Sequence, residues 1–313
     1  MIHTLYLPRL ITDDELKTLK GHFIDDNYIL HEINYDVDIY DEDTHKFICS
    51  FRKKRIKKSK IGFDNFKELA TAARGRGASA GPIDPTSSYW KSRTLVNSKQ
   101  YRTGYLTKRG KSSKMNVNNP VLSTPVGYIE ELKSLGQVKP CRLTYYTTKF
   151  LNKFENGKPF IHEIDKWYKK LRPIEHSKQL KRANLKKEFK IDHTAFSTIT
   201  INRNFRTALH QDSNDYGGIA ALTVNEYGRY KGGLFVLPGY AIGINIRDGD
   251  ILIADVHQYH ANTEIWTTTT DDEYNKSLPI LYKKSKQGIT GQDLPYSRIS
   301  YVCYLREQLI DCK

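Results

Sequence analysis

The sequence has few cysteines and no long apolar run. Its four cysteines show no C-x-x-C spacing, which disfavours both a zinc ribbon and a disulfide framework. No stretch approaches the roughly 20 apolar residues that a membrane-spanning helix requires, and the first residues lack the basic and apolar regions of a secretory signal. We therefore expect an intracellular protein, in the nucleus or the cytoplasm, that stays in a reducing compartment without membrane contact.

The composition is otherwise typical of a globular protein. Hydrophobic residues make up 38% and charged residues 27% of the 313 residues, and the mean hydropathy is −0.62. A chain of this length holds about two domains or one elaborated domain. We predict an N-terminal region over residues 1–140 and a C-terminal domain over residues 141–313, with a polar insertion at residues 266–297.

Charge is strongly segregated along the chain. Residues 51–120 contain 18 Lys and Arg against three Asp and Glu, and so account for the whole net charge of +15. Residues 1–50 are acidic, with 11 Asp and Glu against four Lys and Arg. The basic region favours contact with a nucleic-acid backbone, although a solvated face or a nuclear-import signal would also explain the run at residues 51–60.

A glycine-rich stretch lies inside this basic region. Residues 74–87 combine small residues and two prolines with Arg74 and Arg76, a composition typical of a loop. The glycines would let the backbone approach a phosphate, and the two arginines would supply positive charge. A plain flexible loop is the alternative.

The hydrophobic pattern predicts three helices before residue 190. Thr12 and Glu15 form a capping box at the start of the first helix, and Pro159 precedes an amphipathic second helix. Helices are predicted over residues 12–24, 160–171 and 175–189.

Strands dominate the last third of the chain. One earlier strand is predicted at residues 29–40, where apolar and polar residues alternate. Short strands separated by glycines are then predicted at residues 195–201, 219–224, 233–237, 241–246, 250–255 and 299–305. This arrangement favours an α+β protein: a double-stranded β-helix, which is a jelly-roll or cupin-like barrel, braced by helices and carrying an N-terminal basic extension.

Two histidines and one aspartate suggest a metal centre. His210 and Asp212 stand two residues apart, a spacing that a strand presents on one face, and His260 follows about fifty residues later. Two histidines and one carboxylate that leave positions open form the facial triad of non-haem Fe(II) oxygenases. His257 competes with His260, and its alternative role is that of a hydrogen-bonded or substrate-side histidine.

The order of these motifs resembles the TET/JBP family of Fe(II)- and 2-oxoglutarate-dependent nucleobase dioxygenases over roughly residues 194–306. The resemblance is carried by residues 198–215, 230–233, 247–250, 257–262 and 298–300. Further upstream, residues 74–82 and 119–128 look similar to viral and phage members of the family, so a viral protein in a host cell is one expected source.

The resemblance implies a metal and cosubstrate site. His210, Asp212 and His260 would hold Fe(II), and Arg298 would bind the distal carboxylate of 2-oxoglutarate with help from Ser300. A guanidinium fork suits a carboxylate in this way. One coordination position would remain for O₂.

The resemblance also suggests substrate contacts. Because the insertion at residues 266–297 lengthens the spacing to Arg298, Arg306 is a second candidate for the 2-oxoglutarate contact. Asp215 stands where family members place an acid beside a flipped base, or else belongs to a turn. Arg206 and His257 are further candidates for the substrate pocket, and Arg74 and Arg76 for contact with DNA.

The expected function is hydroxylation of the methyl group of 5-methylcytosine or thymine in DNA, by a monomer that takes a base flipped out of the strand. The alternatives are the same chemistry on RNA or on a protein side chain, and a DNA-binding barrel without catalytic activity.

Overall fold

The structure is a computed structural model of the chain. The structure describes residues 2–68, 72–73, 79, 81, 105–106, 112–113, 121–134, 137–281 and 296–312. Arg74 and Arg76 lie outside the described residues, as does most of the basic region after residue 68.

The described residues contain twenty strands, most of them short. In chain order they are β1 (His3–Leu7), β2 (His31–Ile33), β3 (Val37–Asp41), β4 (Phe47–Arg52), β5 (Ala72–Ala73), β6 (Tyr105–Leu106), β7 (Ser112–Ser113), β8 (Val121–Ile129), β9 (Leu132–Ser134), β10 (Gln137–Lys139), β11 (Arg142–Leu143), β12 (Thr198–Arg203), β13 (Ile219–Tyr227), β14 (Lys231–Gly232), β15 (Phe235–Leu237), β16 (Ile242–Ile244), β17 (Ile251–Asp255), β18 (Ala261–Asn262), β19 (Ile265–Trp266) and β20 (Ser297–Tyr304). Each of the six strands predicted after residue 194 is present.

Helices precede most of these late strands. The α-helices are α1 (Asp13–Thr18), α2 (Ser59–Phe66), α3 (Tyr145–Lys149), α4 (Leu151–Leu171), α5 (Pro173–Ala183) and α6 (Thr269–Lys276). Short 3₁₀ turns occupy Asp26–Tyr28, Asn184–Phe189, Tyr216–Gly218, Pro238–Tyr240 and Glu307–Asp311. Across the described ranges, no helix combines the length and the apolar character needed to cross a bilayer.

Two sheets face each other across an apolar layer. The large sheet has the order β1-β3-β4-β17-β13-β20-β12-β8-β11, with β5 beside β8, and the small sheet has the order β18-β15-β16-β2. Leu222 and Leu252 of the large sheet share a buried cluster with Phe235, Leu237 and Ile244 of the small sheet. Two facing sheets of this kind form the predicted double-stranded β-helix, so the fold prediction is confirmed.

The helices cover the outer face of the large sheet. Because neighbouring residues of a strand point to opposite faces, Tyr301 and Cys303 of β20 turn away from the small sheet and pack in a cluster with Phe66 of α2 and Phe160 of α4. The Phe160 and Tyr301 rings meet edge to face, with their centroids 4.9 Å apart. The other face of β20 is thereby left free to line the space between the sheets.

The N-terminal strands belong to both sheets. In the large sheet β4 pairs antiparallel with β17, and in the small sheet β2 pairs parallel with β16. Strands from before and after residue 140 therefore share the same sheets, and the predicted division at that residue is not a break between sheets.

Two predicted helices have different bounds. Pro159 lies inside α4 instead of preceding it, because the turn before it packs closely on α2: a Cβ added at Gly157 would come 2.1 Å from the Phe66 ring. This packing outweighs the backbone hydrogen bond that proline removes. The helix predicted over residues 175–189 ends at Ala183, and Lys186 leaves helical geometry with φ −136° and ψ 69°.

The early elements are shorter than predicted. The capping box of Thr12 and Glu15 is present, but α1 ends at Thr18 and the chain turns at Gly21, where φ is +84°. Residues 29–40 form two strands instead of one, because β2 joins the small sheet and β3 joins the large sheet.

One cysteine pair corrects the sequence analysis. Cys141 and Cys312 form a disulfide with their Cα atoms 5.9 Å apart, although spacing along the chain disfavoured any disulfide. The two residues are 171 positions apart, and they meet because β11 and the C-terminal turn pack at the same end of the sheet. Cys49 and Cys303 are buried free thiols.

The predicted insertion at residues 266–297 begins with the end of β19 and continues into α6. Asn275 of α6 is tied to the loop after β13, since its side chain accepts from the Arg229 N–H at 2.6 Å and donates to the Arg229 C=O at 2.8 Å. Residues 282–295 lie outside the described part of the chain.

Candidate active site

A cavity of about 810 Å³ lies between the two sheets. Its wall on the large sheet is the inner face of β20, where the alternate residues Arg298, Ser300, Val302 and Tyr304 line it. At about 3.3 Å per residue, Arg298 and Tyr304 are roughly 20 Å apart along this wall. The cavity is therefore long enough to hold more than one small ligand.

The predicted metal ligands are brought together by backbone pairing. The N–H groups of His210 and His260 each donate to the other residue's C=O, with N–O distances of 3.0 and 2.9 Å, and the Asp212 N–H donates to the Val256 C=O at 3.0 Å. His210 therefore lies in an isolated bridge, and Asp212 lies in a loop. The expectation that one strand presents both residues is wrong, because the contact with His260 and Val256 holds them instead.

The three side chains converge on one point. Their potential ligand atoms lie within 4.8 Å of one another. One carboxylate oxygen of Asp212 is 3.5 Å from Nε2 of His210, and the other is 3.6 Å from Nε2 of His260. This spacing suits a single ion between the three groups.

Backbone carbonyls orient both imidazole rings. Nδ1 of His210 donates to the Ala208 C=O at 2.7 Å, and Nδ1 of His260 donates to the Gln258 C=O at 2.9 Å. Since a carbonyl only accepts, the proton of each neutral ring stays on Nδ1 and the lone pair of Nε2 points to the shared centre. Two imidazoles and one carboxylate in this arrangement fit Fe(II) with positions left open.

His257 takes no part in this cluster. Its Nε2 donates to the Asp215 C=O at 3.0 Å, and its ring packs on Gly218, where an added Cβ would come 2.7 Å from the ring. His257 therefore holds the loop after Asp212, as the alternative interpretation of this histidine supposed.

Arg298 lies in the same cavity as the three ligands. Arg298 is only 4% exposed. Burial lowers the pKa of its guanidinium because desolvation disfavours the charged form. Its Nε has no hydrogen-bond partner, and among the described residues no carboxylate forms an ion pair with it. The Glu226 charge on the neighbouring strand favours the charged guanidinium without forming an ion pair with it. A buried guanidinium that forms no ion pair is a fitting partner for a carboxylate ligand.

Two residues that the sequence analysis did not assign hold Arg298 in place. Asn204, at φ +46°, accepts from the Arg298 N–H at 2.7 Å and donates to the Tyr296 C=O at 3.1 Å. A Cβ added at Gly233 would lie 3.2 Å from Cδ and Nε of Arg298. A positive φ at asparagine and a close approach at glycine are tertiary features, so local pattern alone does not reveal them.

Ser300 and Asn202 stand side by side next to Arg298. They are paired in register between β20 and β12, and both line the cavity. Asn202 is 8% exposed, and its Oδ1 has no hydrogen-bond partner in the described structure. The Arg298 end of the cavity thus offers a cation, a hydroxyl and an amide.

Arg306, the second candidate for the 2-oxoglutarate contact, lies beyond the opposite end of β20. Its guanidinium makes two hydrogen bonds to the Glu130 carboxylate, at 2.8 and 2.9 Å, and its Nη2 donates to the Tyr304 hydroxyl at 3.1 Å. Because Arg306 already has a carboxylate partner, the structure favours Arg298 for this role.

The candidate substrate residues are divided between the cavity and its surroundings. Asp215 is 8% exposed and lines the cavity, and burial together with the nearby Asp212 charge raises the pKa of its carboxyl well above the usual value. Arg206 is not a lining residue: its guanidinium lies 4.6 Å from the centre of the Phe23 ring and pairs with Asp25.

Helix α5, which carries exposed lysines, packs against the turn that follows Asp215. Arg182 of α5 lies over the Tyr216 ring at 5.7 Å and forms an ion pair with Glu307. Tyr216 is the residue after Asp215, and Glu307 is the residue after Arg306, so α5 lies at the Asp215 end of the cavity. We use the name rim lysines for the exposed Lys178, Lys181 and Lys187 on α5 and the 3₁₀ turn after it.

The described part of the basic run lies elsewhere. The Ile56 N–H donates to the C=O of Gly249, which lies just before β17, at 2.8 Å. The Asp212 N–H donates to the C=O of Val256, which lies just after β17. The basic run and the metal ligands are therefore at opposite ends of β17. The five residues of β17 span about 16 Å. We use the name turn lysines for the exposed Lys53, Lys57 and Lys58 of this run.

The three ligands and Arg298 lie within a range that matches a known protein family. A family model described as the oxygenase domain of the 2OGFeDO superfamily, Tet_JBP, matches residues 124–307. The chain is 29% identical over 205 residues to the bifunctional helicase and thymine dioxygenase JBP2 of Leishmania infantum, covering 65% of this chain and 16% of that protein. It is 30% identical over 178 residues to thymine dioxygenase JBP1-A of Trypanosoma cruzi, covering 56% of this chain and 21% of that protein.

The chain thus matches about a fifth or less of the length of these relatives. Among solved structures, NgTET1 in complex with 5mC DNA has a TM-score of 0.51 and 11% identity, with 88% of this chain and 78% of that chain covered. At this identity the likeness concerns the fold.

Proposed function

Because this chain belongs to the Tet_JBP family of the 2-oxoglutarate- and Fe(II)-dependent dioxygenase superfamily, we propose that it hydroxylates the methyl group of a pyrimidine base in DNA. The observation that carries the proposal is the content of one cavity: two histidines and an aspartate that converge at one point, and a buried arginine that has no carboxylate partner in the described residues.

The residues have distinct roles in this proposal. His210, Asp212 and His260 hold Fe(II) through Nε2, a carboxylate oxygen and Nε2. With 2-oxoglutarate and O₂, the bound iron supplies the oxidising chemistry that hydroxylates a C–H bond while the cosubstrate becomes succinate and CO₂. Arg298 binds the distal carboxylate of 2-oxoglutarate, and Ser300 adds a hydroxyl beside it.

The base is proposed to enter from the Asp215 end of the cavity. A stacked base could not reach ligands that lie between two sheets, so the base must be flipped out of the strand. The Asp215 carboxyl can accept from the exocyclic amine of a cytosine or, when protonated, donate to the O4 atom of a thymine. The curated relatives are named thymine dioxygenases, and NgTET1 was solved with 5mC DNA.

That the active unit is a monomer stays a prediction. The intracellular location and the viral source stay predictions.

The proposal is tested by mass spectrometry of nucleosides from duplex DNA incubated with the protein, Fe(II) and 2-oxoglutarate. DNA containing thymine alone and DNA that also contains 5-methylcytosine are compared, and single-stranded RNA serves as the competing substrate. We expect a hydroxymethyl pyrimidine from DNA. Asp212→Ala should give none, and Asp64→Ala, a carboxylate change on the outer helix α2, should give as much as the wild type. Product from RNA alone would refute the proposal.

A further inference from the structure

We propose that residues 9–24 position the iron ligands by fixing the two backbone carbonyls that orient His210 and His260. This segment, called the N-terminal clamp below, precedes residues 124–307, which match the family model. The inference rests on the proposed iron site, but it does not depend on which substrate is oxidised.

The first contact of the clamp lies beside His210. The Gly21 N–H donates to the Leu209 C=O at 2.9 Å, and the Leu209 N–H donates to the His22 C=O at 2.9 Å. Leu209 stands between His210 and Ala208, whose carbonyl accepts from Nδ1 of His210. The clamp therefore holds the backbone that carries both the ligand and its hydrogen-bond acceptor.

The second contact lies beside His260. The Arg9 guanidinium donates to Oε1 of Gln258 and, at 3.0 Å, to the Tyr240 hydroxyl. The amide of Gln258 also donates to Asp255 at 3.1 Å. Since the Gln258 carbonyl accepts from Nδ1 of His260, Arg9 holds the residue that orients the second histidine.

A shared apolar cluster joins these contacts. Leu16 and Ile24 of the clamp are each 1% exposed, and they pack with Leu209 at 0% and Tyr259 at 6%. Leu209 and Tyr259 directly precede His210 and His260 in the chain. The residue before each imidazole ligand is therefore anchored on the same surface of the clamp.

The clamp also explains the position of Arg206. Its guanidinium lies over Phe23 and donates to the Ile24 C=O at 3.3 Å, so it secures the chain four residues before His210. Groups that orient a metal-bound histidine typically affect metal affinity 10- to 100-fold when they are removed. Because Arg9 acts through Gln258, we expect an effect of about tenfold.

The test is a metal titration of Arg9→Ala with Co(II), which binds the same donor set without reacting with O₂ and whose visible absorption reports ligand geometry. We expect Co(II) to bind about tenfold more weakly than to the wild type, with an altered spectrum. The matched control is Arg55→Ala. Arg55 pairs with Asp36 at 2.6 Å and lies over Trp167 at 5.9 Å, at the other end of β17.

A merely structural role would lower the unfolding temperature of both variants and leave both Co(II) affinities unchanged. Arg9→Lys, which keeps the charge, should restore part of the affinity. If Arg9→Ala does not fold, Gln258→Met removes the same contact from the other side and carries the same expectation. The inference is overturned if the clamp variant binds Co(II) within twofold of the wild type, or if Arg55→Ala loses as much affinity.

A second comparison separates this inference from the proposed function. Asp212→Ala removes a proposed ligand, so Co(II) binding equal to the wild type in that variant would refute the iron site itself. Loss of 2-oxoglutarate decarboxylation in the absence of DNA, in Arg9→Ala and not in Arg55→Ala, would support the clamp whichever substrate the protein oxidises.

Discussion

Arg298→Met should weaken the binding of 2-oxoglutarate without lowering the stability of the unliganded protein. Methionine keeps most of the side-chain volume and removes the charge. Removing one partner of a buried charge pair costs about 2–5 kcal/mol, so 2-oxoglutarate should bind at least about 30-fold more weakly. Without ligand the same charge is only 4% exposed and has no carboxylate partner among the described residues. The unliganded variant should therefore unfold at the same temperature as the wild type, or at a higher one.

The assay is calorimetric titration of 2-oxoglutarate into Co(II)-loaded protein, together with thermal unfolding with and without the cosubstrate. We expect 2-oxoglutarate to raise the unfolding temperature of the wild type and to leave that of Arg298→Met unchanged. Binding of DNA should be the same in both proteins. The base is proposed to enter at the Asp215 end of the cavity, near Tyr304, and Arg298 lies roughly 20 Å from Tyr304 along β20. The matched control is Arg306→Met, which should lose the Glu130 ion pair and keep its cosubstrate affinity. The opposite pattern would refute the reasoning and assign the carboxylate contact to Arg306.

Three further predictions follow from other parts of the structure. His210→Ala should abolish turnover while the circular dichroism spectrum stays that of a folded protein, because two remaining ligands hold Fe(II) poorly; near wild-type activity would contradict the ligand assignment. Changing the three rim lysines to Gln should flatten the log-log salt dependence of duplex DNA binding by up to about 2.7, whereas the same change of the turn lysines should not; the reverse result would place the DNA surface on the basic run. Cys141→Ser should lower the free energy of unfolding by about 2–5 kcal/mol under oxidising conditions, and an unchanged unfolding temperature would argue against the disulfide.

The structure shows how part of the basic run at residues 51–60 is used. The density of positive charge at residues 51–60 favoured contact with a phosphate backbone, with a solvated face or a nuclear-import signal as the alternatives. In the structure Arg55 pairs with Asp36, and the Lys54 ammonium donates to the Asp248 C=O at 2.6 Å, so part of the run is used within the fold. The remaining basic residues up to position 120 lie largely outside the described part of the chain, and their role stays a prediction.

Local pattern was sufficient for six of the nine strands after residue 194 and for the types of the ligands. Alternation over short segments encodes which face of a strand is buried, and this placed the six strands predicted after residue 194. The chemistry of His210 and Asp212 suggested a metal site, but the choice of His260 over His257 as third ligand came from the order of the motifs and the family resemblance.

Contacts between distant segments were decided by the tertiary structure. Residues 29–40 alternate as one strand, yet they are shared between two sheets, since each half finds a different neighbour. Cys141 and Cys312 are separated by 171 positions, and no local spacing relates them. Pro159 lies within a helix because a ring from α2 packs against the turn before it.

The same distinction applies within the site. The sequence alone determined that Arg298 and Arg306 could each bind a carboxylate, because both carry a guanidinium. Only the fold decided between them, by supplying Glu130 to Arg306 and leaving Arg298 buried beside Ser300. The sequence specifies the chemistry of each side chain, whereas the burial of a side chain and the choice of its partner depend on which distant segments pack together.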